Sequence, residues 1–194
     1  MKTRFSVARC CCDDTTEPII IPGYSIVPYQ PQFGDPQTMT PRSGPAAPTV
    51  NRTGYDWPVL RFVNVPAGDL ATLYVDINGW YSTIGSDLPM DFEFFPVLVI
   101  DPFTENFDVS NLGASNGVAN ESVHPYPPST DPPRVWTTPN IATAFNAVRN
   151  DPSYDPSRPV LIVAKPVNIA FTPNFVDNRM LWYINPNREA RYTQ

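Results

Sequence analysis

Histidine is almost missing from this chain: among 194 residues His124 is the only one. A serine–histidine–carboxylate relay would have to use it. Yet it sits in Ser122-Val-His-Pro-Tyr-Pro-Pro128, where no Gly-x-Ser-x-Gly turn presents a nucleophile. Cysteine occurs only as the run Cys10-Cys11-Cys12. Three adjacent thiolates project in divergent directions from an extended backbone, so one chain alone cannot close a tetrahedral zinc site with them. They are candidate inter-chain thiols. Lysine is reduced to Lys2 and Lys165, the net charge is −6 and the pI about 4.6. Without a basic run to neutralise phosphates, nucleic acid is not expected as a partner. Long apolar runs are missing too. Val97–Ile100 and Val160–Ala164 fall far short of the roughly 20 residues that span a bilayer, so no membrane insertion is expected. Met1–Arg9 leads into no apolar stretch of the secretory kind, which implies synthesis in a cytoplasm without a signal peptide. The aspartates Asp69, Asp76, Asp87, Asp91, Asp101 and Asp108 fall where turns are expected, and Asp is a good turn former. No enzymatic activity, cofactor or catalytic metal is expected.

Proline, by contrast, is abundant. Of 25, eight lie between Pro18 and Pro48. Each fixes its own φ, removes a backbone donor and pushes the preceding residue towards extended geometry. Pro18-Ile-Ile-Ile-Pro22-Gly-Tyr-Ser-Ile-Val-Pro28-Tyr-Gln-Pro31 is therefore expected to be neither a helix nor a central strand. It still carries Ile19, Ile20, Ile21, Tyr24, Ile26, Val27 and Tyr29, too apolar a set for a disordered spacer. The reading is an extended arm over residues 1–56 that lies on a surface, with a β-domain over residues 57–194.

Within that domain Val59–Val65 reads as a strand. Leu70–Ile77 and Trp80–Ile84 flank Asn78-Gly79, which predicts a two-residue hairpin turn, because both turn residues must accept positive φ. Phe92–Ile100, Arg134–Thr137, Val160–Ala164, Val167–Phe171 and Arg179–Ile184 complete the strands, with Pro96 marking an edge or a bulge. The stretch Asp101–Pro133 is a functional loop, a contact surface or a carrier of short strands. One helix is expected, with Thr138 as cap, Pro139 at the first position and Ile141, Phe145 and Val148 on its inner stripe, stopped by Asp151-Pro152. Trp136, Phe145, Leu161 and Val163 are expected in one core. Short strands, Pro/Gly turns and one plugging helix define an all-β fold, a β-sandwich or jelly roll.

Ala71-x-Leu73-x-Val75, Trp136-Thr-Thr-Pro139-Asn-Ile141 and Val148-Arg-Asn150 before Val160–Val163 resemble the pattern of DNRLRE-type, galactose-binding-like jelly rolls. That resemblance, over about residues 58–170, implies a place among domains of bacterial surface proteins and phage structural proteins. Asp151-Pro-Ser-Tyr154 replaces the Trp…Gly pair usual after the helix in that group, so no ligand residues carry over.

Together these features predict a non-enzymatic structural subunit of a virion, as capsid decoration, tail or fibre, or of another surface assembly. It would self-associate through Ile19, Ile20, Ile21, Tyr24, Ile26, Val27 and Tyr29, as a homo-oligomer with other structural subunits, and be found in a virion or extracellular assembly. The alternative is a carbohydrate-binding sandwich module for adhesion, with Trp57, Trp80 and Tyr81 as the platform on which a glycan stacks.

Overall fold

The computed structural model describes residues 19–42, 49–51, 56–82, 88–98, 105–115, 118–123, 134–167, 179–184 and 189–194. Its strands are β1 (Ile19–Ile21), β2 (Tyr24–Gln32), β3 (Asp35–Pro41), β4 (Thr49–Asn51), β5 (Trp57–Phe62), β6 (Thr72–Tyr74) and β7 (Asp76–Ser82). These are followed by β8 (Leu88–Pro96), β9 (Phe107–Asp108), β10 (Val118–Val123), β11 (Arg134–Thr137), β12 (Val160–Val167), β13 (Arg179–Ile184) and β14 (Ala190–Thr193). One α-helix, α1, spans Ala142–Arg149. The fold is an all-β sandwich. A seven-stranded antiparallel sheet, ordered β10-β8-β12-β5-β2-β3-β9, faces two shorter ladders, β1-β14-β6 and β11-β7-β13-β4.

The seven-stranded sheet is apolar on both faces, and β12 shows why. Successive side chains of a strand point to opposite sides. Val160, Ile162 and Ala164 enter one core with Leu60, Phe62, Phe92, Phe94 and Phe145, under β1, β14 and β6. Leu161 and Val163 enter a second core with Tyr29, Met39, Val59, Val97 and Phe107. The expectation of one shared core is thus corrected: Phe145 belongs to the first, Leu161 and Val163 to the second. The Trp136 side chain lies outside the described residues.

The N-terminal segment is the main departure from the sequence reading. β2 is a central strand, paired with β5 over Tyr24–Tyr29 and with β3 over Tyr29–Gln32. Its prolines are tolerated because a strand's backbone groups alternate between its two neighbours. The Pro28 carbonyl accepts from Arg42 N at 2.8 Å, so its missing donor faces the β3 side, just beyond the last residue of β3. Pro31 is two residues past Tyr29, where the pairing with β5 has already ended at Trp57. Each missing N–H thus falls where a partner strand stops. Ile21, Tyr24 and Tyr29 are buried in the chain's own cores. The described part of residues 1–56 therefore belongs to the sandwich and is no arm laid outside it.

A second departure concerns Asn78-Gly79, which lies in the middle of β7. Gly79 there faces Arg134 of β11 and Trp182 of β13. Two partner strands hold this backbone extended, and that pairing overrides the local turn preference. The break falls at Val75 instead. Val75 N donates to Thr138 Oγ1 and Val75 O accepts from Thr138 N, each at 3.0 Å.

Thr138 therefore serves the β6–β7 junction, and α1 begins later than its presence would suggest. Asn140 takes over, accepting from Ala142 N at 3.1 Å and from Leu73 N at 2.9 Å. Asn140 Nδ2 also donates to Ala71 O, and Asn146 exchanges two bonds with the Leu70 backbone, at 3.1 and 2.8 Å. Two side-chain amides thus act as a substitute strand along residues 70–73. Ala142, Ala144, Phe145 and Val148 face inward. Asp101–Pro133 does carry short strands, since β9 and β10 fall within it.

Candidate contact surface and outer cleft

Two features of the N-terminal strands stand out, an exposed apolar set and an outer cleft. The first is exposed apolar surface. A β-hairpin joins β2 to β3 through Phe33-Gly34, with Gly34 at φ 84° supplying the left-handed turn residue. Residues 31–37 are all exposed, so the tip projects, and Phe33 at 104 % is as bare as a residue in an isolated peptide. Ile19 and Ile20, on the edge strand β1, are each 49 % exposed. Ile26 and Val27 are half-buried. Of the seven residues expected to make subunit contacts, Ile19 and Ile20 are thus the most available. Ile21, Tyr24 and Tyr29 are taken up by the interior.

The second feature is a cleft on the outer face of the seven-stranded sheet, with a volume of about 470 Å³. Val27, Tyr29 and Leu161 give it an apolar floor, Pro41 and Pro159 its flanks, and Ser25, Arg61, Arg158 and Glu105 its polar groups. Among the described residues, Phe107, Val109 and Leu112 pack with Tyr29 and Val59 in the second core, whereas Val27 is half-buried and Arg61 exposed. Tyr29 packs at 5.1 Å on Phe107 and donates its hydroxyl to Glu105 O at 3.0 Å. Burial pushes the Tyr29 hydroxyl above its usual range, and the nearby Arg61 guanidinium opposes that shift in part. Arg158 lies 3.9 Å from Asp155. Arg61 is exposed and forms no ion pair among the described residues.

A polar cluster joins the two layers. Asp76, fully buried, accepts from Thr137 Oγ1 at 2.5 Å and pairs with Arg191 Nη2 at 2.9 Å, while Tyr24 donates to the Asp76 carbonyl at 3.2 Å. Burial first, then the charges of Asp76 and Glu189, push the Tyr24 hydroxyl well above the usual tyrosine range. At the surface, Asp108 and Asp155 are held below the usual carboxylate range by hydrogen bonds from Ser110 and Ser157, which are turn contacts.

Trp57 opens β5 half-buried against the second core, with Lys165 Nζ 5.5 Å from its ring centroid. One face of that ring is thus covered by a cation. The side chains of Trp80 and Tyr81 lie outside the described residues, as do Cys10, Cys11, Cys12 and His124. The cleft and the Phe33 tip were missed because each needs the strand order: only the β12-β5-β2 neighbourhood brings Arg61 and Arg158 together. Comparison with protein-family models, curated proteins and solved structures finds no match.

Proposed function

We propose that this protein is a non-enzymatic structural subunit that associates with copies of itself through its N-terminal strands, as in a virion or other surface assembly. One observation carries the reading. Of the four large hydrophobic residues exposed among the described residues, Ile19, Ile20 and Phe33 lie in β1 and the β2–β3 hairpin, and only Tyr74 lies elsewhere. Scattered single apolar residues need no explanation, but bare apolar residues on an edge strand and on a projecting tip are points where another chain can pair or pack. The resemblance to jelly rolls of phage and bacterial surface proteins points the same way. Glycan binding has less support, because Lys165 covers one face of Trp57. Sedimentation velocity over a wide concentration range tests the proposal. Growth of defined oligomers or fibres with concentration is the expected result, and a monomer at every concentration would overturn it.

A further inference from the structure

We infer that the Phe33 tip of one copy docks in the outer cleft of a second copy. This inference rests on the self-association reading above and supplies its contact. Phe33 is fully exposed at 104 % on a hairpin whose residues 31–37 all project into solvent. A phenyl ring presents on the order of 150–200 Å² of apolar surface, which water solvates poorly. The turn itself does not call for it, since Gly34 supplies the positive φ and the position before it accepts most residues.

The cleft fits such an occupant. Its floor of Val27, Tyr29 and Leu161 between Pro41 and Pro159 is apolar, and its volume of about 470 Å³ is larger than a benzyl group requires. Charge is complementary as well. Asp35 follows Phe33 and Gly34 on the tip and is exposed, its carboxylate accepting from Gln37 N and Thr38 Oγ1. Beside Glu105 the cleft offers Arg61, which is exposed and forms no ion pair among the described residues, whereas Arg158 lies 3.9 Å from Asp155. In a chain of net charge −6, copies repel one another on average, so the Arg61 guanidinium is where an acidic tip meets attraction.

A chain cannot fill its own cleft with its own tip. Phe33 is four residues beyond Tyr29 along the same hairpin, about 13 Å at the rise of a β-strand, and it stands fully exposed, outside the cleft of its own chain. The occupant therefore comes from another copy. Because tip and cleft are different patches, the contact is heterologous, and repeated use builds an open chain or a ring.

Mixing two complementary variants tests this directly. Phe33→Ala removes the tip and leaves the cleft, whereas Arg61→Glu spoils the cleft and leaves the tip. Both positions are exposed, and circular dichroism with thermal unfolding confirms that each variant keeps the parent fold. Each variant alone should associate roughly tenfold more weakly than the parent, or not at all. An equimolar mixture should form a one-to-one complex that grows no further, because only one productive contact remains per pair. Asp35→Asn, which keeps the turn acceptors and removes the charge, should weaken association less than Phe33→Ala. Should the parent assemble while Phe33→Ala assembles equally well, this docking is wrong and the self-association reading survives. If the parent never associates, both fall. If an acidic oligosaccharide binds the parent and not Arg61→Glu while Phe33→Ala leaves assembly unchanged, the cleft is a glycan site and the inference is overturned.

Discussion

Gly23 turns the chain from β1 into β2 at φ 76°, and a Cβ there would sit 2.7 Å from Val63 Cγ2. Both the left-handed backbone and the close approach demand glycine. Gly23→Ala is predicted to lower stability by roughly 1–3 kcal/mol, measured by urea unfolding. Tyr24, one residue on, makes a pH prediction. Its folded pKa is raised by burial and by Asp76 and Glu189 above the unfolded value near 10. Its contribution is therefore complete below about pH 10 and is lost as the pH rises towards the folded value. Tyr29 adds to the same alkaline loss. Tyr24→Phe, which forfeits the bond to the Asp76 carbonyl, should cost about 1 kcal/mol at neutral pH yet show a flatter alkaline decline. An unchanged alkaline slope in this variant would contradict the burial of that hydroxyl. Tyr24 shows how residue type alone can mislead: the sequence marks it as an apolar contact residue, and only the pairing with β5 reveals that the contact is internal.

Among the elements, α1 is unusual in what it does for its neighbours. Asn140 and Asn146 satisfy the backbone of residues 70–73 as a strand would, with bonds of 2.8 to 3.2 Å. Asn146→Ala removes two of these bonds at once and is predicted to cost roughly 2 kcal/mol. Amide hydrogen exchange should quicken first at Leu70, whose N–H donates to Asn146. The helix itself is legible from Ile141, Phe145 and Val148, whose spacing matches its turn. Its start is not, because Thr138 is drawn to Val75, a partner 63 residues away that no local pattern announces. β11 and β13 are legible to the residue, since β-branched and aromatic runs there coincide with their pairing. Asn78-Gly79 misleads for the opposite reason: its local signal is strong, but β11 and β13 straighten it from both sides.

For the whole molecule, the consequence is that residues 19–42 hold the sandwich together and also carry its barest apolar groups. Removing β1–β3 would uncover Val59 and Leu60 and strip Ile21, Tyr24, Tyr29 and Met39 from the two cores. A chain lacking residues 1–42 is therefore predicted to lose cooperative thermal unfolding, where an arm lying outside the domain would leave a folded remainder. The apolar content of this segment is legible in the sequence. Its division between interior and surface is not, because Ile19, Ile20 and Ile21 look alike until β14 pairs with them and buries only the last. Hydrogen–deuterium exchange compared between the dilute monomer and the assembled protein tests this dual role most directly. The account predicts that Tyr24–Tyr29 is protected in both states, while the Gln32–Asp35 tip gains protection only on assembly and Ile19–Ile20, already paired with β14, gain further protection there. Rapid exchange of Tyr24–Tyr29 in the monomer, or no gain at Ile19–Ile20 and Phe33 in the assembly, would contradict it.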